Sequence, residues 1–296
     1  MITGRMKAWL KAVPLIACAY AYAVFSDDTF DKLIDSKSFS EALNYADSKI
    51  PAPSRDSKTW TKLGRANEGQ GLVEKALACY MVAARMDSKN YEALIGTARI
   101  YNKLNQPANA ATAAKKALEL KNTSEASWEF ARSCIALNKA VEAKKALEKV
   151  VEADPENVAA QKELGLIYYN EKAYDKSIDL LKTAYAKQPE ESIAFRIGKA
   201  YDEAGSVDSA LAYLKGPNGR RLSMPEASLE LGGIYFKLQK CDAAIGEYDK
   251  GLSKNAGDAM DYYQWAVCLE KTNAGTDRIT RAYQAAVDKF GASKSK

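Results

Sequence analysis

Residues 158–191 read VAAQKELGLIYYNEKAYDKSIDLLKTAYAKQPEE. Two short amphipathic helical patterns, separated by a polar turn, account for this stretch. One face of the first carries Leu164, Gly165 and Tyr168, and one face of the second carries Ser177, Leu181 and Ala184. Pro189 ends the unit, because proline cannot continue a helix. The stretch therefore predicts a helix-turn-helix unit of about 34 residues.

This unit resembles the tetratricopeptide repeat, or TPR, whose pattern is a bulky residue, then Leu-Gly, Tyr, Ala, an aromatic, Ala and Pro. Seven near-matches follow one another, at about 57–90, 91–124, 125–157 and 158–191, then from about 191, at about 225–258 and from about 259. The resemblance implies an all-α fold, a right-handed α-solenoid of stacked helix-turn-helix TPR units, because one unit cannot bury its apolar face alone.

The repeats divide the chain into four predicted segments. Residues 1–23 are a leader, 24–56 an N-terminal helical cap, 57–290 the seven repeats and 291–296 a C-terminal tail. The one long interruption is GPNGRRLSMP at 216–225, which is interpreted as a hinge, a partner-contact loop or a plain degenerate connection.

Small residues recur at one helix position, at Gly64, Gly165, Gly198 and Gly232. Glycine inside a helix costs roughly 1 kcal/mol relative to alanine, so its recurrence indicates a close approach between paired helices. Tyr101, Tyr168, Tyr201 and Tyr235 are expected to fill the gap toward the partner helix.

Residues 1–25 have the order of a secretory signal peptide, with three positive charges followed by an apolar run. Two processing sites compete: Ala21-Tyr22-Ala23 predicts cleavage before Val24, whereas Leu15-Ile16-Ala17-Cys18 resembles a lipoprotein motif with Cys18 lipidated. An uncleaved anchor or a chance apolar run remains a third interpretation. The leader predicts export, to the periplasm or the membrane-associated cell envelope.

Charge and composition restrict the function classes. The chain has 296 residues, 43 basic against 38 acidic, and a formal net charge of +5. Three of the basic residues lie in the leader, so the remainder is nearly balanced, which argues against a nucleic-acid partner. The chain has no histidine, which excludes Ser-His-Asp and Cys-His catalysis and histidine-ligated zinc. We therefore predict no enzyme activity, no metal and no cofactor.

The resemblance also implies where a ligand binds, because the first helices of TPR units line the concave groove. The groove-facing positions are Lys58, Lys62, Arg65, Arg99, Asn102, Glu129, Lys162, Tyr169, Phe195, Lys199, Phe236 and Tyr263. They form a basic first sector and an aromatic later sector, which suit a peptide segment with acidic and apolar parts.

The implied function is a non-catalytic protein-binding scaffold or assembly module in the cell envelope. The alternative is a glycan- or peptidoglycan-binding accessory subunit that serves an enzyme in trans. Membrane attachment would come through the leader or its lipid, and the sequence leaves the oligomeric state open.

Two cysteines form a candidate disulfide. Cys241 should begin the second helix of the sixth repeat, and Cys268 should lie near the end of the first helix of the seventh. Adjacent helices run antiparallel, so these two ends should be neighbours. In an exported protein the two cysteines could therefore form a disulfide.

Overall fold

The computed structural model describes residues 28–216, 221–254 and 256–294. Cys18 and both predicted processing sites lie outside this part of the chain. The chain divides into two compact units, Met1–Val150 and Val151–Lys296, and each is described by itself.

The described part of the first unit consists of α-helices with one short 3₁₀ helix at Ala52–Ser54. The helices are α1 (Asp28–Asp35), α2 (Phe39–Lys49), α3 (Ser57–Gly69), α4 (Val73–Met86), α5 (Tyr91–Lys103), α6 (Pro107–Leu120), α7 (Ser124–Ala136) and α8 (Ala140–Ala153), of which α8 ends just inside the second unit. Helices α3 and α4 pack as one antiparallel pair, and α5 and α6 as the next.

The second unit repeats the arrangement. Its helices are α9 (Val158–Asn170), α10 (Tyr174–Lys187), α11 (Glu191–Glu203), α12 (Val207–Leu214), α13 (Pro225–Lys237), α14 (Cys241–Leu252), α15 (Ala259–Lys271) and α16 (Thr276–Lys294). The pairs α9–α10, α11–α12, α13–α14 and α15–α16 each form a helix-turn-helix unit. The predicted all-α fold of stacked helix-turn-helix units is therefore confirmed.

The first helices of most repeats begin at a side chain that caps them. The residue before α3, α5, α7, α9 and α15 accepts a hydrogen bond from a backbone N–H of the first turn; these residues are Asp56, Asn90, Thr123, Asn157 and Asp258. Such caps satisfy donors that have no partner inside the helix. The short polar residues between repeats therefore fix where five of the seven units start.

The turn inside each repeat contains a residue with positive φ. Glycine supplies it in the first and fifth repeats, at Gly71 and Gly205, whereas Asn105, Asn138, Lys172, Gln239 and Asn273 supply it elsewhere. The backbone N–H groups of this turn bond back to the last carbonyls of the first helix, as when Ala173 N donates to Tyr168 O at 2.9 Å. The same turn geometry thus recurs with different side chains.

The recurring small residues correspond to close helix contacts, as the sequence predicts. A Cβ atom added at Gly64 would lie 2.6 Å from the Tyr80 ring, and one added at Gly198 would lie 2.6 Å from Leu214 Cγ. The equivalent distances are 2.9 Å from Gly165 to Leu181 Cγ and 2.8 Å from Gly232 to the Tyr248 ring. Residues of the second helices thus fill these gaps, and among them Tyr80 and Tyr248 are the largest buried side chains.

The interruption at 216–225 is anchored where it is described. Residues 217–220 lie outside the described part, but Arg221 forms an ion pair with Glu247, Leu222 is buried, and Ser223 donates to Glu191 through its N–H and its hydroxyl. At the C-terminus, α16 continues to Lys294, into the segment predicted as a tail. None of the described helices has both the length and the apolar character needed to span a bilayer.

Candidate functional site

The first unit has a cationic cleft between the first helices of two successive repeats. Its volume is about 270 Å³, and it is lined by Lys58, Thr61, Lys62, Arg65, Asn90 and Glu92. Lys58, Lys62 and Arg65 follow one another at helical spacing, so α3 presents all three on one face. The structure therefore brings these three predicted groove residues together.

Two of these cations are available to a ligand. Lys62 forms an ion pair with Asp31 of α1, whereas Lys58 and Arg65 are exposed and form no ion pair within the described chain. A cation without an internal partner can pair with a carboxylate of another molecule. Lys58 and Arg65 are therefore the residues of the cationic cleft that a ligand can pair with.

Arg99 lines a second cleft of about 220 Å³ beside Arg65, but its charge is satisfied internally. Its Nε lies 2.8 Å from Glu68 Oε1, and its Nη1 lies 3.2 Å from Glu125 Oε1. Tyr80 donates to the other oxygen of Glu68 at 2.8 Å, and burial together with Glu68 raises the pKa of Tyr80. Arg99 therefore ties α3, α5 and α7 together and offers little to a ligand.

Asn102 and Glu129, which were also predicted to face the groove, form a hydrogen bond with each other. The side chain of Glu129 is only 5% exposed, and it accepts a hydrogen bond from Asn102 Nδ2 at 2.8 Å. The Asn102 amide oxygen in turn accepts from Ser133 at 2.9 Å. These residues form a structural link between α5 and α7.

The second unit has a larger cleft of about 480 Å³ between α11, α13 and α15. Five carboxylates line it, against two lysines, Lys199 and Lys237; the carboxylates are Asp202, Glu226, Glu230, Asp258 and Asp261. Its apolar wall includes Phe195, Leu229, Ile234 and Met260, and Met260 is 58% exposed. We call this site the acidic cleft.

The charges of the acidic cleft are only partly compensated. Lys237 Nζ lies 2.6 Å from Asp202, and Lys199 Nζ lies 3.3 Å from Glu230. Burial raises the pKa of Glu230, although Lys199 opposes that shift, and burial also raises the pKa of Asp261. A cation entering this cleft would relieve the cost of holding these carboxylates ionised away from water.

The remaining predicted residues lie apart from these clefts or inside packed clusters. Lys162 pairs with Glu190 at 2.8 Å, and Tyr169 contacts Tyr174 with ring centroids 5.7 Å apart. Phe236 packs beside a buried cluster, and Tyr263 is 48% exposed with its ring 6.2 Å from Tyr283. Of the predicted later sector, only Phe195 and Lys199 line the acidic cleft.

Sequence reasoning missed the carboxylates of this cleft, although a signal for them exists. Glu226 and Glu230 are the second and sixth residues of α13, and Lys58 and Lys62 are the second and sixth residues of α3. The same two repeat positions are thus basic in one unit and acidic in the other. Aligning the repeats by helix position, with charge recorded at each, would have found the reversal.

Within the described residues, no group of three His, Cys, Asp or Glu side chains is arranged to hold a metal ion. Four of the five carboxylates of the acidic cleft instead pair with lysines or accept from backbone N–H groups at the start of α15; for example, Asp258 Oδ1 accepts from the N–H groups of Met260 and Asp261. The two clefts are therefore suited to recognising charge.

Comparison with known proteins agrees with this architecture. The family profile described as tetratricopeptide repeat matches residues 61–125, 129–192 and 195–259, about two thirds of the chain. No curated protein sequence matches significantly.

Several solved structures share the fold. A tetratricopeptide repeat protein from Parabacteroides merdae is 19% identical, over 82% of this chain and 96% of that chain, with a TM-score of 0.51. YrrB, described as a TPR protein with an unusual peptide-binding site, is 19% identical, over 60% of this chain and 89% of its own, with a TM-score of 0.51. MamA is 23% identical, over 54% of this chain and 88% of its own, with a TM-score of 0.50.

At these identities the solved structures show the fold alone, whereas the family profile covers more than half of the chain in three segments of successive repeats. The helix pairs, their glycine contacts and the profile all lead to the same assignment: the chain belongs to the tetratricopeptide repeat family.

Proposed function

We propose that the protein is a non-catalytic scaffold that binds peptide segments of partner proteins on the first-helix faces of its repeats. The family supports a role in protein interaction, and YrrB is a relative in fold with a peptide-binding site. From the predicted leader we also propose that the scaffold works in the cell envelope, attached through the leader or its lipid.

The observation that carries the proposal is the reversal of charge between the two clefts. Lys58 and Lys62 of α3 occupy the repeat positions that Glu226 and Glu230 occupy in α13. The cationic cleft therefore suits an acidic segment, and the acidic cleft suits a basic one with an apolar residue for the Phe195 wall. The cations of the first cleft support a peptide over the alternative, a glycan or peptidoglycan, because uncharged sugar units offer no carboxylate to pair with them.

Fluorescence anisotropy with two labelled synthetic peptides tests this function. The peptides have equal length and the same apolar residues, one with glutamates and one with lysines between them. The double variant Lys58→Glu, Arg65→Glu should lower the affinity for the acidic peptide about tenfold, because two ion pairs are replaced by repulsion. Glu226→Lys should lower the affinity for the basic peptide and leave the affinity for the acidic peptide unchanged.

Matched controls use exposed charges on second helices. Lys75 of α4 and Asp208 of α12 are exposed and line none of these clefts, so Lys75→Glu and Asp208→Lys should leave both affinities within about twofold. Equal losses from control and cleft variants would mean that net charge governs binding, and the proposal would be wrong.

A further inference from the structure

Two cysteines of the second unit are in direct contact. Cys241 is the first residue of α14, and Cys268 lies three residues before the end of α15. The Cys268 thiol donates to Cys241 Sγ, with the two sulfur atoms 2.8 Å apart. Both are thiols in the structure, and a separation near 2.8 Å leaves less than about 1 Å to the disulfide bond length of about 2.05 Å.

The surroundings hold the pair in place. Cys268 is fully buried, in one cluster with Leu229, Tyr248 and Leu252, and Cys241 packs against the edge of the same cluster. Cys241 is partly exposed, so one member of the pair can be reached by a reagent and the other cannot. Packing on both sides means that neither side chain has to leave its cluster for the sulfur atoms to join.

We propose that Cys241 and Cys268 are a dithiol site that a disulfide-containing oxidant converts into a disulfide, which covalently links the sixth repeat to the seventh. This inference is independent of the peptide-binding function. The predicted leader would bring the chain to a compartment in which such bonds persist.

The exchange has two steps and balances. The Cys241 thiolate attacks one sulfur of the oxidant, which forms a mixed disulfide and releases the first thiolate of the oxidant. The Cys268 thiol then loses its proton and attacks Cys241 Sγ, which releases the second thiolate. Two protein thiols become one disulfide, the oxidant is reduced to two thiols, and both protons pass to solvent or to the released thiolates.

Burial determines the order of these steps. Burial, with the neighbouring Cys241, raises the pKa of Cys268 to about 12, so this thiol seldom ionises before its neighbour has reacted. The first attack therefore belongs to Cys241, the partly exposed member of the pair. Once the mixed disulfide stands beside it, Cys268 is in contact with the atom that it must attack.

Peptide mapping of the full chain tests the site. The chain is incubated with oxidised glutathione, blocked with a thiol-alkylating reagent, and digested with trypsin without reduction. Cleavage after lysine and arginine places each cysteine of the repeats on its own peptide, because the peptides are 76–85, 133–139, 241–250 and 255–271. The expected product is peptide 241–250 linked to 255–271, with Cys79 and Cys134 alkylated.

Variants and heat stability provide the second readout. Cys241→Ser and Cys268→Ser should each abolish the linked peptide, whereas the matched control Cys134→Ser should retain it. Oxidation should raise the thermal midpoint of the wild-type chain by about 5–10 °C, because the bond closes a loop between residues 27 positions apart. Neither cysteine variant should show this rise.

Recovery of peptides 241–250 and 255–271 as separate alkylated or glutathione-bound species would overturn the proposal. Cross-linking of either cysteine to Cys79 or Cys134 would do the same.

Discussion

At the scale of single residues, the fold depends on where side chains are missing. Tyr80 lies against both Gly64 and Gly96, where an added Cβ would come within 2.6 Å and 2.5 Å of its ring. Such contacts exclude any side chain at the glycine, since interiors are packed too tightly to accommodate extra atoms without movement.

A glycine-to-alanine pair in the second unit tests this packing. In Gly198→Ala the new methyl group would lie 2.6 Å from Leu214 Cγ, in a site where Leu214 is fully buried. Overpacking costs about 1–3 kcal/mol, which exceeds the helix-propensity gain of roughly 1 kcal/mol. We expect a net loss of about 1 kcal/mol in the free energy of unfolding, measured by urea denaturation.

Gly246→Ala is the matched control. Gly246 lies inside α14 with nothing within 4 Å of its added Cβ, so only the propensity gain remains and stability should rise by up to about 1 kcal/mol. If both variants shifted stability in the same direction, close packing would not explain why position 198 is a glycine.

The sequence predicted which positions must be small, and Tyr201 of α11 does stack on Tyr213 of the partner helix, with ring centroids 5.7 Å apart. The sequence did not identify the second-helix side chains that lie against the glycines, which are Tyr80, Leu181, Leu214 and Tyr248. Helical spacing identifies a residue's face, whereas its partner depends on how two helices cross.

At the scale of the elements, hydrogen-bonded side chains link first helices of successive repeats. Asn102 of α5 donates both to the carboxylate of Glu129 in α7 and to the backbone carbonyl of that residue, at 2.8 Å and 2.9 Å. Because Glu129 is buried, its carboxylate depends on this donor and on Arg132 Nη1 at 3.3 Å.

Asn102→Leu should lower the free energy of unfolding by about 2 kcal/mol, because a buried carboxylate loses its amide donor. Urea denaturation followed by circular dichroism measures the change. Asn109→Leu, on the exposed part of α6, should cost less than about 0.5 kcal/mol. Adding Glu129→Gln to Asn102→Leu should restore part of the lost free energy of unfolding. If it restored none, an uncompensated charge on Glu129 would not be the cause of the loss.

The candidate site was predictable in part at this scale. Lys58, Lys62 and Arg65 lie on one helix, so helical spacing was enough to place them together. The acidic cleft takes its carboxylates from α11, α13 and α15 and from the residue before α15. Such a cluster depends on the packing of three helices, which spacing along any one of them does not reveal.

At the scale of the whole molecule, a nearly balanced charge conceals two local excesses of opposite sign. The formal net charge is +5, yet the acidic cleft has five carboxylates and two lysines. A partner therefore meets a different electrostatic field on each unit, and net charge alone does not predict what binds.

The affinity of the acidic cleft for the basic peptide should depend on pH. Because burial raises the pKa of Glu230 and Asp261, these groups take up protons at a higher pH than ordinary carboxyls, whose pKa is about 4. Lowering the pH should therefore neutralise part of the cleft before ordinary carboxyls take up protons, and so weaken binding, and raising the pH should restore it.

Anisotropy titrations at constant ionic strength measure this dependence. The acidic peptide at the cationic cleft is the control above about pH 5, where its own glutamates and the lysines and arginine of the cleft all remain charged. A basic-peptide affinity that stayed constant until the pH approached about 4 would show that the buried carboxylates do not contribute to binding.

The order in which the helices pack has a consequence for how quickly the chain reaches its native state. Within each unit, the main partners of a helix are the helices one or two places away along the chain. Among the described helices, the main contacts of each can form without a distant segment, so little loop-closure entropy opposes them. A helix pair leaving the ribosome can consequently dock on the pair made just before it, and each unit can assemble at the pace of its own synthesis.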